Sequence, residues 1–146
     1  MLIKIVCIGG IIIAFNLLIQ GMGNVFWLRK ISASIKVKGD ITNQKMLKIL
    51  LFSFLLFTFI HTFHSFVWAA CYYLIPETSS QFSGLSEAFY FSMVTFTTLG
   101  YGDIVLSSDW RLLSGLEAIN GIMLIGWSTA MMFSLIQNIH KKINAN

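Results

Sequence analysis

Charged residues are scarce in this sequence. They make up 11% of its 146 residues, whereas hydrophobic residues make up 56%. A water-soluble domain normally has about a quarter of its residues charged, so the composition excludes an ordinary soluble domain and predicts a membrane protein. The length leaves no room for a second sizeable domain.

Proline and cysteine are also rare. Pro76 is the single proline, so the chain contains few obligatory breaks in its helices. Cys7 and Cys71 are too few for a disulfide scaffold and too far apart for a zinc or redox motif. Both are predicted near the outer ends of their spans. A disulfide between them is conceivable there, but two unpaired buried thiols are the default expectation.

Four charge-free stretches define the predicted membrane segments. Residues 5–28, 49–76 and 118–140 form stretches of 24, 28 and 23 residues. Each exceeds the roughly 20 residues that a helix needs to cross the hydrocarbon core. No small-residue cleavage pattern follows the first, which we interpret as a retained helix and not a signal peptide. The fourth stretch, residues 88–102, has only 15 residues and is predicted to enter the membrane and return.

Basic residues predict the orientation. Residues 29–48 contain six basic residues opposed only by Asp40, and Lys141 and Lys142 follow the third span. Short basic loops stay cytoplasmic, and these two lie on one side only if the fourth stretch re-enters. We therefore predict a multi-pass protein of the cell membrane, with its N-terminus outside and its C-terminus cytoplasmic. The basic linker either attracts anionic lipid headgroups or only sets the topology.

The fourth stretch contains a predicted short helix at residues 84–98. Ser83 or Ser86 can cap its N-terminus, and Glu87 in its first turn complements the helix dipole. The helix starts outside and points inward. Its partial negative end therefore faces the middle of the membrane and favours a cation there.

The stretch TTLGYGDI follows this helix at residues 97–104. Gly100 and Gly102 can adopt backbone angles that are closed to other residues. Non-helical backbone at membrane depth is tolerated only where it is buried in protein or lines a water-filled cavity. A simple turn is the alternative, but the short helix and the flanking spans favour carbonyls that line a pore.

The segment TFTTLGYGDI resembles the pore signature of the potassium channel family. The resemblance covers about half of the chain, in the order outer helix, pore helix, filter and inner helix. The residues that match the family's filter and its following aspartate are Thr98, Leu99, Gly100, Tyr101, Gly102 and Asp103. The resemblance implies that the first four of these bind K⁺ through their carbonyls. Because one chain supplies one strand of carbonyls, it also implies a homotetramer.

The sequence departs from the family at several positions around the filter. Leu99 stands where valine or isoleucine is usual, and its bulkier side chain must pack behind the filter. Tyr90 and Phe91 stand where many members have a tryptophan pair, and Val94 where some simple bacterial channels have a glutamate. Tyr90, Phe91 and Val94 are candidates for filter support, and the Tyr90 hydroxyl is expected to support Asp103.

Further candidates lie at the end of the predicted pore helix and on the third span. Thr97 and Glu117 are also expected to support the filter, although Glu117 either bonds to the pore helix or lies near the permeation path. Gly121 falls where the family often has a gating-hinge glycine, with close packing as the alternative. For Gly126, which forms a small-xxx-small pair with Ala130, packing is preferred.

Two polar stripes mark the first and second spans. Asn16, Gln20 and Asn24 recur every fourth residue on the first span. The stripe on the second span consists of Thr58, His61, Thr62 and Ser65, with His64 close by. The two stripes are expected to meet and hydrogen-bond. The histidines are either proton sensors or, as we prefer, buried imidazoles with hydrogen-bond partners.

The predicted fold is an all-α membrane protein with three transmembrane helices, a re-entrant pore helix and an extended selectivity filter, assembled as a tetrameric pore. The predicted segments are a transmembrane helix at 1–28, a basic cytoplasmic linker at 29–48, a pore module at 49–140 and a cytoplasmic tail at 141–146. Within the pore module, the segments are the outer helix at 49–75, turret at 76–83, pore helix at 84–98, filter at 98–103 and inner helix at 110–139.

The resemblance implies passive conduction of K⁺, with K⁺ ions in the filter and no organic cofactor. A weakly selective cation channel and a non-conducting regulatory membrane subunit are the alternatives. Acidic residues and histidines are scattered, without a paired base and nucleophile, so no enzyme and no nucleic-acid partner is predicted. The first span lacks the arginine ladder of a voltage sensor. The expected surroundings are membrane lipid, and a separate gating subunit is compatible with the sequence.

Overall fold

The described part of the chain is helical. The computed structural model describes residues 1–36 and 42–144, and these contain no strand. The helices are α1 (Leu2–Lys36), α2 (Asn43–Leu74), α3 (Pro76–Ser79), α4 (Leu85–Phe96) and α5 (Arg111–Asn144). The all-α fold class is therefore confirmed.

Helices α1, α2 and α5 are the membrane-spanning elements. The segments Leu2–Ile31, Gln44–Leu74 and Arg111–Lys141 are long and apolar enough to cross a membrane. Large apolar side chains cover their outer surfaces, and Ile3 and Phe59 are 79% and 71% exposed in the single chain. Water would disfavour such a surface, whereas lipid tails are as apolar as these side chains. Among residues 1–36 and 42–144, three helices could therefore span a membrane, as predicted.

Two helices extend into the predicted linker. Helix α1 continues through Lys36 and α2 begins at Asn43, so residues 29–36 and 43–48 are helical. Lysine and arginine are good helix formers, and a charge-free stretch therefore ends before its helix does. The remainder of the predicted linker, residues 37–41, lies outside the described residues, as do residues 145–146 of the predicted tail.

Contacts of Lys4 show that the segment between α2 and α5 does not cross the membrane. The Lys4 Nζ lies 3.2 Å from Glu77 Oε1, just after α2, and 5.4 Å from the centre of the Trp110 ring, just before α5. Both ends of the intervening segment therefore lie at the same end of the bundle. Helix α4 enters from that end and the chain returns to it, as the basic loops predict.

The ion pair at this end is exposed. Hydrogen bonding to its own backbone N–H, and then to Lys4, lowers the pKa of the Glu77 carboxyl. Both side chains are about half exposed, so solvent screens the pair and it contributes little to stability. The ion pair does show, however, that the start of α1 lies next to the predicted turret at residues 76–83.

The opposite end of the bundle brings together the two helix ends that flank the predicted linker. The Trp27 indole N–H donates a hydrogen bond of 2.8 Å to the Ser53 hydroxyl, which joins α1 to α2. Ile31 of α1 and Leu135 and Ile139 of α5 form a small buried cluster beside them. The described residues of the predicted linker and tail therefore lie at one end, away from Lys4.

The polar stripe of α1 is buried against α5 and not against α2. Asn16 Nδ2 donates to Asn120 Oδ1 at 3.0 Å, and Gln20 Nε2 donates to the Ser128 hydroxyl at 2.8 Å. Asn16 and Gln20 are both fully buried. The predicted pairing between the stripes of α1 and α2 is wrong, because α5 presents the polar partners.

The hydroxyls of the α2 stripe bond within their own helix. Thr58 donates to the Phe54 carbonyl at 3.0 Å, and Thr62 donates to the Thr58 carbonyl at 2.9 Å. Threonine can always satisfy its hydroxyl in this way, one turn back along a helix. These residues therefore do not need a second helix, which the sequence pattern could not reveal.

The carboxamide of Asn120 joins all three spans, and its removal is expected to destabilise the protein. Its Oδ1 accepts from Asn16 and also from the Trp68 indole N–H of α2 at 3.1 Å. Asn120→Ala leaves two buried donors unpaired, at about 1–3 kcal/mol each. We expect a lower thermal unfolding midpoint in detergent micelles. Asn138→Ala, at an exposed position of the same helix, is the control. Equal midpoints for the two variants would contradict this role of Asn120.

The cysteines are unpaired. Cys7 is exposed on α1 and Cys71 is partly buried on α2, and neither forms a disulfide. The expectation of free thiols is confirmed, but the expectation that both are buried is wrong for Cys7. Its side chain faces outward from the bundle, where lipid is the surrounding medium.

Candidate functional site

Helix α4 begins with a cap that differs from the predicted one. Gly84 is the capping residue, with extended backbone, and no side chain caps the helix. Instead, the Glu87 carboxylate accepts a hydrogen bond of 2.5 Å from the Ser83 backbone N–H. The predicted caps, Ser83 and Ser86, are wrong, because Glu87 reaches back as the acidic half of a capping box does.

A buried carboxyl group holds the middle of α4. Glu117 of α5 is fully buried, and its Oε2 accepts a hydrogen bond of 2.7 Å from the Tyr72 hydroxyl of α2. Its Oε1 is hydrogen-bonded to the Ser92 hydroxyl of α4. Ser92 also donates to the Ser65 carbonyl of α2 at 2.6 Å. Of the two roles considered for Glu117, the structure therefore has the bond to α4.

The last residue of α4 rests directly on α5. A Cβ atom at Gly121 would overlap the Phe96 carbonyl oxygen and lie 2.7 Å from the carbonyl carbon. Only glycine allows the backbones to approach so closely. A Cβ at Gly126 would meet no neighbour within 4 Å in the single chain. Packing therefore explains Gly121, whereas the preferred packing role of Gly126 is not found within the chain. A hinge at Gly121 stays a prediction.

Two histidines lie beside Phe96, at the C-terminal end of α4. The rings of His61 and His64 lie 5.9 Å apart, and each lies 6.1 Å from the ring of Phe96. Their ring nitrogens are buried without a hydrogen-bond partner among the described residues. The preferred expectation of satisfied imidazoles stays a prediction, and both rings pack against Phe96.

The backbone after α4 alternates in handedness. Thr98, Gly100 and Gly102 have φ of 60°, 56° and 79°, whereas Leu99 and Tyr101 do not have positive φ. Thr98 is the only non-glycine residue with positive φ among residues 1–36 and 42–144. In such an alternation successive N–H groups converge on one side, so the carbonyl oxygens align on the other. An extended strand would instead point its carbonyls alternately to both sides.

The converging N–H groups are occupied by the protein itself. Leu99 N–H and Gly100 N–H both donate to the Val94 carbonyl, at 2.9 and 3.3 Å. The Thr97 hydroxyl donates to the Met93 carbonyl at 2.6 Å and closes the last turn of α4. Val94 thus contributes through its main chain to the position of this segment, a contribution that its side-chain type does not reveal. No hydrogen bond to a carbonyl of residues 98–103 is found among the described residues.

A second hydrogen bond holds the far end of the segment. The Tyr90 hydroxyl of α4 donates to Asp103 Oδ2 at 2.8 Å, as expected from the missing tryptophan and glutamate. This bond raises the pKa of the Tyr90 phenol. Phe91 points the other way, and its ring lies 5.3 Å from Tyr72 and 5.5 Å from Phe82. Phe91 therefore supports α4 from behind, within an aromatic cluster.

The bond between Tyr90 and Asp103 leads to a testable prediction. Tyr90→Phe removes the donor of the hydrogen bond to Asp103 Oδ2. Residues 98–103 then lose their outer attachment to α4. We expect ion flux through the variant to decay several-fold faster during sustained conduction. Tyr73→Phe, at an exposed tyrosine on α2, should behave as wild type. Identical decay in both variants would contradict this role of Tyr90.

The ligands that this site offers are main-chain oxygens. Among the described residues, no group of three or more His, Cys, Asp or Glu side chains could hold a metal ion. Residues 97–103 are all exposed in the single chain, including Leu99 at 61% and Tyr101 at 68%. This segment is therefore not covered by the rest of its own chain.

Comparison with known proteins identifies the family. Residues 54–138, more than half of the chain, match the family of sequences described as ion channels. The chain belongs to the ion channel family. The match spans α4, the TTLGYGDI stretch and most of α2 and α5. Membership of a channel family also confirms the prediction that this protein is not an enzyme.

The relatives of this ion channel are potassium channels. It is 44% identical over 59 residues to two-pore potassium channel 1 of Arabidopsis thaliana, covering 38% of this chain and 16% of the relative. It is 31% identical over 104 residues to potassium voltage-gated channel subfamily A member 2 of Xenopus laevis, covering 70% and 20%. The match therefore spans a fifth or less of these relatives. No solved structure matches the chain significantly.

Proposed function

We propose that the chain is the pore-forming subunit of a potassium-selective channel that conducts K⁺ passively across the cell membrane. Residues 98–101 of four copies form the filter, and the pore module occupies residues 49–140. The observation that carries the proposal is the alternating backbone from Thr98 to Gly102, in which the N–H groups of Leu99 and Gly100 bond to the Val94 carbonyl. Carbonyl rings of this kind can replace the hydration shell of K⁺.

The position of α4 supports a cation as the ligand. Its C-terminal end at Phe96 leads directly into the row of carbonyls, and the partial negative charge of a helix lies at that end. Both the dipole and the carbonyl oxygens favour a positive ion and disfavour an anion. The potassium-channel relatives favour K⁺ as that ion.

Exposure of the filter supports the homotetramer. Leu99 and Tyr101 are large side chains without cover from their own chain, and a membrane-spanning protein cannot leave polar carbonyls beside them facing lipid. Neighbouring copies cover both the side chains and the carbonyls when four chains surround one axis. The basic residues of positions 29–48 support an orientation with the N-terminus outside and the C-terminus in the cytoplasm.

Ion flux from purified protein tests the proposal. The protein is reconstituted into liposomes loaded with K⁺, and a dye reports flux down a K⁺ gradient or, in a matched sample, a Na⁺ gradient. We expect K⁺ flux that barium blocks and Na⁺ flux close to that of empty liposomes. Equal K⁺ and Na⁺ flux would indicate a weakly selective cation channel. Absence of both would contradict the proposal and favour a non-conducting regulatory subunit.

A further inference from the structure

Three helices meet at the carboxyl group of Glu117. Tyr72 and Ser65 belong to α2, Ser92 belongs to α4, and Glu117 belongs to α5. Their oxygens form a continuous chain from the Tyr72 hydroxyl through Glu117 and Ser92 to the Ser65 carbonyl. The four residues are buried, so water does not complete the bonding.

The number of protons in this series of hydrogen bonds decides whether the Glu117 carboxyl group is protonated. The Ser65 carbonyl can only accept a hydrogen bond, so the single hydroxyl proton of Ser92 lies between Ser92 and Ser65. Ser92 then has no proton left for Glu117 Oε1, although the two oxygens are hydrogen-bonded. The missing proton must lie on Glu117, because the Tyr72 hydroxyl already occupies Oε2 with its own proton.

The charge around Glu117 agrees with this count. No ion pair of Glu117 is found in the described residues, where Lys4 and Glu77 form the salt bridge. The titratable groups on α2 that face it are Tyr72 and Cys71, and α4 faces it with Ser92. None of these is a cation, and a buried carboxylate without a cation is strongly disfavoured. A neutral carboxylic acid avoids that penalty and supplies the donor that Ser92 needs.

We propose that Glu117 is a neutral carboxylic acid that positions α4 by donating a hydrogen bond to Ser92. All donors in the chain then point one way, from Tyr72 through Glu117 and Ser92 to Ser65, and each bond polarises the next. The inference deepens the proposed function, because α4 carries the row of carbonyls at its end. Glu117 is a positioning residue that acts on the filter through α4, and it does not touch the ion.

Infrared spectroscopy tests the protonation state without reference to conduction. Spectra of the full chain in lipid bilayers at pH 7 are recorded for wild type and Glu117→Gln. We expect the difference spectrum to contain the carbonyl stretch of a protonated carboxylic acid. A parallel difference with Glu77→Gln, whose carboxylate is exposed and paired with Lys4, should contain carboxylate bands instead. Carboxylate bands from Glu117 would overturn the inference.

Ion flux of two variants tests the positioning role. Glu117→Gln keeps a donor for Ser92 and an acceptor for Tyr72, so its flux should stay within about twofold of wild type across pH 5–8. Glu117→Ala removes both, and its flux should fall by about tenfold or more. A tenfold loss in an assembled Glu117→Gln channel, or wild-type flux in Glu117→Ala, would overturn the role. If Glu117→Ala does not assemble, the glutamine variant decides.

The two proposals fail in different ways. If the wild-type protein conducts no ion, the proposed channel function fails, and the infrared spectrum alone still decides whether Glu117 is neutral. If the wild type conducts and the spectrum shows a carboxylate, the inference that Glu117 is protonated is rejected, and the channel function stands.

Discussion

We expect Gly100→Ala to abolish K⁺ flux from liposomes and Gly10→Ala to leave it at the wild-type level. Gly100 has φ of +56°, a left-handed conformation that costs a residue with a Cβ atom roughly 1–2 kcal/mol. A tetramer would contain the strain four times around one axis. Rotating the peptide back to negative φ relieves the strain, but it also breaks the alternation and turns a carbonyl out of the row.

The comparison with Gly10 isolates the backbone as the cause. A Cβ atom would meet nothing within 4 Å at either glycine in the single chain, so neither alanine clashes with a side chain of its own subunit. Gly10 lies within α1, where alanine is favoured over glycine by about 0.5–1 kcal/mol. Flux and assembly are measured on the same preparations. A Gly100→Ala tetramer that conducts K⁺ as wild type does would contradict the role of the alternating backbone.

Gly121→Ala is expected to disrupt the packing of α4 against α5. The added methyl group meets the Phe96 carbonyl, which is main chain and cannot rotate away. Forcing extra atoms into a packed contact costs about 1–3 kcal/mol, and a tetramer contains four such contacts. Thermal unfolding of the reconstituted protein should begin at a markedly lower temperature. K⁺ flux should fall at least tenfold, because the end of α4 leads into the proposed filter.

Gly126→Ala is the matched control for this contact. It lies on the same helix, and a Cβ atom there meets nothing within 4 Å in the chain. If Gly121 served only as a gating hinge, its alanine variant would fold as stably as Gly126→Ala and differ only in channel opening. Equal unfolding temperatures for the two variants would therefore reject packing as the reason for glycine at position 121.

The spans and the re-entrant helix could be predicted because they depend on charge, which is visible along the sequence. A charge-free stretch of 15 residues is too short to cross, and the basic residues on either side of it require a return. The bond from Tyr90 to Asp103 could be predicted because the sequence lacks the usual partners. Each of these inferences needs only positions along one chain.

Other contacts depend on which helices are neighbours, and the sequence does not contain that information. The stripe on α1 indicates a buried polar face, but α2 and α5 both carry polar residues, and only the packing selects Asn120 as the partner of Asn16. The packing of Phe96 against Gly121 is likewise not visible in the sequence. The contribution of Val94 is likewise hidden, because its main-chain carbonyl, and not its side chain, holds Leu99.

A structure of the assembled protein in K⁺ solution, determined by electron cryomicroscopy, tests the central claim most directly. We predict four chains around one axis, with the carbonyl oxygens of residues 98–101 facing it and ion density between them. The same preparation in Na⁺ alone should show altered or missing density at those positions. Carbonyl oxygens turned into protein packing, with no axis between neighbouring copies of Tyr101, would contradict the account.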